Sequence, residues 1–194
     1  MKTLKLGTRG SALALKQAEM TEAALGRAFP ELEVERVIIK TTGDRRTDVA
    51  LNEVAKAEGI WDKGVFIKEL EVALEAGEID VAVHSLKDLP TVLEDPFQLR
   101  SVLERAPVAD AWIGKIPWSE VEKGSRVGTS SVRRERQVKF LKPGAKVVDL
   151  RGNVPTRIKK AALDADYDGI ILAEAGLNRL GYPTEGMFEI ERHP

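Results

Sequence analysis

The chain has 194 residues, 43% hydrophobic and 31% charged, with a net charge of −1, values ordinary for a globular protein of one large or two small domains. It contains no cysteine, which excludes disulfides, thiolate catalysis and cysteine-ligated metal centres, and its two histidines, His84 and His193, are far apart in sequence. No apolar run approaches the roughly 18 residues needed to cross a bilayer, and the charged start of the chain lacks a signal-peptide core, so a cytoplasmic protein without membrane contact is expected.

Taken in chain order, Leu4–Thr8 reads as a strand, and Ser11 is placed to cap a helix reaching about Ala28. Val34–Lys40 is a second strand, rich in β-branched residues, and the polar stretch Thr41–Lys63 reads as a loop. Ile67, Leu70 and Leu74 recur at helical spacing within Phe66–Ala76, with Gly77 to close the helix, and Ile79–His84 follows as a buried strand. The pattern breaks near Leu93–Pro96. Beyond it come strand-like runs at Leu99–Leu103 and Ala111–Lys115. The alternation then resumes: strand Arg126–Gly128, helix to about Leu141, strand Lys146–Leu150, helix Val154–Leu163 and strand Gly169–Ala173. Strands alternating with helices imply an α/β fold with crossover connections. The break near residues 95–105 implies two lobes with a cleft between them.

The small net charge hides an asymmetry. Asp48–Glu94 carries 11 acidic against 4 basic side chains, giving −7, whereas Arg126–Lys160 carries 11 basic against 2 acidic, giving +9. So concentrated a positive balance points to an anionic partner.

Three familiar motifs fail on inspection. Gly59 and Gly64 have P-loop spacing, but Val65-Phe66 stands where Lys-Ser/Thr is needed. Gly7-Thr8-Arg9-Gly10 lacks the dinucleotide fingerprint. As neighbours on a strand, His84 and Ser85 would point to opposite faces and could form no direct dyad.

What remains is a set of strand-to-helix turns. Thr8-Arg9-Gly10-Ser11, Gly128-Thr129-Ser130-Ser131-Val132-Arg133-Arg134 and Leu150-Arg151-Gly152-Asn153-Val154-Pro155-Thr156-Arg157 each combine glycine, a hydroxyl or amide side chain, and arginine. Exposed backbone N–H groups and the helix dipole favour an anion there, and arginine offers a planar fork to a carboxylate. Any one such turn could be an ordinary helix cap with arginines in solvent. Three together, at the strand edge where α/β folds bind ligands, point to a ligand with several carboxylates or phosphates. The run Ile79–Pro90 delivers His84, Ser85, Lys87 and Asp88 to the same edge. A carboxylate among so many cations suits proton transfer or stabilisation of a developing positive charge.

The blocks TRGSALALKQAE, DKGVFIKELEVALEAGEIDVAVHSLKDLP, VGTSSVRRERQ, LRGNVPTRIKK and YDGIILAEAGLNRLG together resemble the porphobilinogen deaminase (hydroxymethylbilane synthase) family, in order and spacing, over nearly the whole chain. The resemblance implies a fold similar to the type II periplasmic-binding-protein architecture, with mixed sheets, crossover helices and an interlobe cleft. It divides the chain into lobes 1–98, with the catalytic aspartate, and 99–194, with the arginine-rich turns. It implies head-to-tail condensation of four porphobilinogens with release of ammonia, through azafulvene-type cations, in tetrapyrrole biosynthesis. Asp88 matches the family's catalytic aspartate. Arg9, Ser11, Lys87, Thr129, Ser131, Arg133, Arg134, Arg151 and Arg157 match positions that bind acetate and propionate groups. Phe66 matches an aromatic near the active site, Ser85 belongs to the cleft, and Lys63 to a loop covering it.

The same resemblance implies a dipyrromethane primer held by a cysteine of a third domain, yet this chain has no cysteine and stops at Pro194. The expectation is therefore either an inactive fragment of the deaminase, trimmed or partial, or a shortened homologue of two lobes that binds primer noncovalently or draws on a separate C-terminal polypeptide. Glu53–Asp62 also lacks the family's glycine-rich loop. The expected partners are porphobilinogen and the growing oligopyrrole, with the chain a monomer. Two other readings compete: a non-catalytic two-lobe receptor for a small polycarboxylate, and nucleic-acid binding by the basic stretch. The receptor has no use for Asp88. The basic stretch holds one aromatic residue, Phe140, to stack on bases, which argues against nucleic acid.

Overall fold

The computed structural model describes residues 3–45, 66–182 and 189–193. The chain divides into two compact units, Met1–Glu104 and Arg105–Pro194.

The first unit is built on a parallel three-stranded sheet. Strand β1 (Thr3–Thr8) lies in the middle, between β2 (Glu33–Ile38) and β3 (Val81–Ala82). Helix α1 (Ala12–Ala28) makes the first crossover, and Ser11 caps it by accepting from the Ala14 N–H at 3.3 Å. Among the described residues, a short helix α2 (Thr42–Arg45) and helix α3 (Lys68–Glu75) follow β2. Leu70 and Ala73 of α3 pack with Ile79 and the half-buried Val37, Ile39 and Ala82. Helix α3 stops where Gly77 takes φ +69°. The Gly77 and Glu78 amides then bond back to Leu74 and Ala73 carbonyls, a Schellman closure that glycine favours.

The second unit holds a five-stranded mixed sheet in the order β6-β5-β7-β4-β8. These are β4 (Asp110–Gly114), β5 (Arg126–Gly128), β6 (Lys146–Val148), β7 (Gly169–Ala173) and β8 (Glu189–His193). Strands β6, β5 and β7 run parallel, while β4 runs antiparallel to both β7 and β8. Helices α4 (Val132–Leu141) and α5 (Val154–Leu163) are the crossovers, and α6 (Glu174–Arg179) follows β7 directly. Alternate residues of the central strands feed two cores. Ala111, Ile113, Ile170 and Leu172 pack with Ala161 of α5 and Leu177 of α6, whereas Trp112 and Ile171 pack with Val138 of α4. A sheet covered on both faces explains why β7 and, after Asp110, β4 are uninterrupted apolar runs.

The packing around Trp112 leaves no room for growth. A Cβ on Gly169 would stand 2.3 Å from the indole ring and 2.7 Å from the Gly114 Cα. Gly169→Ala is therefore expected to cost about 2 kcal/mol or more, read as a lower midpoint in urea unfolding. An unchanged midpoint would contradict this packing.

Two expected elements differ. Leu99–Leu103 forms no strand; Leu99 and Val102 are 53% and 64% exposed, and no strand of the described residues pairs with this run. The buried strand expected over Ile79–His84 shrinks to Val81–Ala82, flanked by two further amides: Asp80 N–H reaches the Lys5 carbonyl at 2.8 Å and Val83 N–H the Gly7 carbonyl at 2.9 Å, after which β1 turns away into α1.

Candidate functional site

In the first unit the C-terminal ends of β1 and β3 carry the sequence candidates. After β1 come Arg9 and Ser11. The Arg9 guanidinium lies over the Phe66 ring, 4.2 Å from its centroid, within cation–π range. Gly43 backs the same ring so closely that a Cβ there would fall 2.1 Å from it. Phe66 thus props Arg9 in this structure. After β3, Ser85 leads into a single 3-10 turn, Leu86–Asp88, in which the Asp88 N–H donates to the Ser85 carbonyl at 2.8 Å. Asp88 is half-buried and Lys87 exposed.

His84 and Ser85 lie beyond the paired part of β3, so strand alternation does not govern them as expected from sequence. The Ser85 hydroxyl donates to Gln17 Oε1 on α1 at 2.9 Å. Burial, and secondarily the charge of Arg9, lowers the His84 pKa to about 4. An unfolded histidine titrates near 6.5. Its contribution to stability is thus fully present above pH 6.5 and lost as pH falls toward 4, where only the unfolded chain takes up the proton. Between pH 7 and pH 5 this amounts to about 1–2 kcal/mol after discounting for partial exposure. His84→Gln is expected to flatten that part of the pH dependence in urea unfolding, and an equally steep fall in the variant would refute it.

In the second unit the parallel strands β6, β5 and β7 end together, each followed by a helix. Thr129 is 4% exposed, and its Oγ1 accepts from the Ser131 N–H at 3.1 Å. Ser131 caps α4, and Asn153 caps α5 by accepting from the Thr156 N–H at 2.9 Å. Each threonine or serine oxygen so used still has its hydroxyl proton to donate, so capping and ligand binding are compatible. Gly152 adopts φ +117°, and its carbonyl accepts from Arg157 Nε at 2.7 Å. Arg151, 9% exposed, stands at the end of β6, where the Lys160 ammonium donates to its carbonyl at 3.3 Å. The third helix, α6, brings its own buried carboxylate, Glu174, in its first turn.

The tandem arginines are not equivalent. Arg134, nearly buried, donates from Nε and Nη2 to Asp110 Oδ1 at 3.0 and 2.6 Å and from Nη1 to the Ile171 carbonyl. Arg133 reaches Asp110 Oδ2 at 2.7 Å from a largely exposed side chain. Burial raises the Asp110 pKa, but the hydrogen bonds and charges of Arg134 and then Arg133 win, and hold it below the usual carboxylate range. Two guanidiniums on one carboxylate leave a net positive charge at this corner. Sequence reasoning placed both arginines on the ligand and overlooked Asp110, which lies 24 residues from Arg134 and leaves no local signal. Lys63 lies outside the described residues, as do the glycine pair Gly59/Gly64 and the stretch Glu53–Asp62.

The second unit therefore offers two ten-residue helix N-termini, hydroxyl donors and arginines at one sheet edge, a donor set for carboxylates. The family model described as porphobilinogen deaminase, dipyromethane cofactor binding domain, matches residues 4–192. The chain belongs to the porphobilinogen deaminase family. The porphobilinogen deaminase of Syntrophomonas wolfei is 47% identical over 93% of this chain and 58% of its own length. Those of Geobacter metallireducens and Syntrophus aciditrophicus are each 44% identical over 95% of this chain, covering 56% and 61% of their lengths. The chain thus spans little more than half of these family members. Among solved structures, an ancestral cationic amino acid solute binding protein aligns at TM-score 0.49 and 13% identity, covering 99% of this chain and 77% of that one. The BenM effector binding domain with benzoate aligns at TM-score 0.48 and 16% identity, covering 100% and 77%. No described helix is long and apolar enough to cross a membrane.

Proposed function

We propose that this member of the family performs the substrate-binding and acid–base part of hydroxymethylbilane synthesis, the head-to-tail condensation of four porphobilinogens. The observation that carries the proposal is the sheet edge of the second unit. There Thr129, Ser131, Arg133, Arg151 and Arg157 surround two helix N-termini, a donor set suited to the acetate and propionate groups of a pyrrole. Arg134 joins this set through its neighbour rather than directly, being engaged by Asp110.

Taken by itself, the first unit carries donors of the same kind in Arg9, Ser11 and Lys87, with Ser85 held by Gln17 beside them and Asp88 as its carboxylate. As the carbon–nitrogen bond of porphobilinogen breaks and ammonia leaves, positive charge develops on the substrate. A carboxylate about 4 Å away stabilises it by roughly 4 kcal/mol at an effective dielectric near 20. When the new carbon–carbon bond has formed, the attacking pyrrole carbon must lose a proton, and a carboxylate such as Asp88 can take it.

The donor set also suits the carboxylates of a dipyrromethane primer, which would supply the starting pyrroles to which substrate is added. Its thioether attachment does not fit, because the chain has no cysteine. Within these 194 residues, primer would be held through its carboxylates by this donor set. The experiment is incubation of the chain with porphobilinogen, following its consumption and the uroporphyrin formed on oxidation. Consumption with uroporphyrin supports the proposal. Binding without consumption favours the receptor reading, and neither binding nor consumption contradicts both.

A further inference from the structure

We propose that Ser130 is a positioning residue that fixes the Arg151 guanidinium relative to the Thr129 and Ser131 hydroxyls, by strapping the turn after β5 to Leu150 at the end of β6. The assignment rests on reading these turns as the carboxylate-binding edge. Strand pairing between β5 and β6 ends at Gly128 and Val148, followed by one more bond from the Thr129 N–H to the Val148 carbonyl at 3.0 Å. There β5 turns into α4, and backbone pairing cannot continue. Leu150, fully buried, would be left with an unpaired amide and carbonyl.

Ser130 supplies both partners. Its Oγ donates to the Leu150 carbonyl at 2.6 Å and accepts from the Leu150 N–H at 3.1 Å. One hydroxyl thereby stands in for a strand residue, using donor and acceptor together. Its two neighbours in sequence, Thr129 and Ser131, and the residue after Leu150, Arg151, are three of the proposed ligand donors. The Ser130 hydroxyl proton is committed to the Leu150 carbonyl, so its effect on binding is exerted through Arg151.

Ser130→Ala and Ser130→Thr are compared with the unaltered chain by amide exchange at Leu150 and by porphobilinogen titration. Exchange at Leu150 is expected to accelerate in the alanine variant, with porphobilinogen affinity about tenfold weaker, and the threonine variant to restore both. A second expectation separates positioning from simple stability: the affinity loss from Ser130→Ala shrinks or vanishes when Arg151 is already glutamine. Fast exchange with unchanged affinity would overturn the proposal, as would losses that simply add. If the unaltered chain shows slow Leu150 exchange but no affinity for porphobilinogen, the functional reading itself fails, and the positioning role with it.

Discussion

Asp88→Asn is expected to lower porphobilinogen consumption at least about 100-fold, the lower end of what a positioned general acid–base group contributes. The amide keeps the shape of the side chain but can neither accept the pyrrole proton nor balance the positive charge left by departing ammonia. Porphobilinogen affinity is expected to change little or to rise, because Asp88 is a negative group serving a ligand that is itself polyanionic. The backbone argues that the effect will be confined to chemistry. Asp88 closes a single 3-10 turn through its N–H to the Ser85 carbonyl, a bond that the asparagine retains. Paired measurements of initial rate and equilibrium binding check this. Tighter binding with an unchanged rate would remove Asp88 from the reaction.

Arg151→Gln is expected to weaken porphobilinogen binding by about 1.5–3 kcal/mol, roughly 10- to 150-fold in Kd, the range for losing a charge-assisted bond. Arg151, three residues past β6, is 9% exposed, about as buried as Arg134 at 8%, in a setting where water screens little. Arg151→Lys separates geometry from charge, since the ammonium lacks the planar fork. Its affinity should fall between the two. Urea unfolding of each variant distinguishes lost binding from lost fold. An Arg151→Gln chain that is folded and binds normally would take the β6–α5 turn out of the site.

Much of the fold was legible because its elements are locally complete. Strand β5, helix α5 and strand β7 occupy the residues that sequence patterning predicts: β7 is an apolar run set between glycine and a helix start, and α5 follows an asparagine cap with proline in its first turn. Ser11 announces α1, and Gly77 announces the end of α3. What patterning cannot supply is a partner. Leu99–Leu103 has the composition of a strand but no sheet neighbour, and the antiparallel placement of β4 beside β7 is fixed by pairing across about 60 residues. Helix α6 was missed because it begins one residue after β7 ends, without a capping side chain.

The site divides in the same way. The anion turns were visible as glycine, hydroxyl and arginine at strand ends, since that chemistry is local. The use of Arg134 by Asp110 and the strap from Ser130 to Leu150 were invisible, for both join residues 20 or more apart. Ser130 could have been flagged by one signal: a third consecutive hydroxyl in Thr129-Ser130-Ser131, more than a single cap requires.

Titration of porphobilinogen into the purified chain by calorimetry, at low and at near-physiological salt, tests the central claim most directly. The account predicts saturable binding that weakens as salt rises, because opposite charges on ligand and sheet edge attract less when screened. No saturable heat up to about 1 mM porphobilinogen, a free energy near −4 kcal/mol, would contradict it.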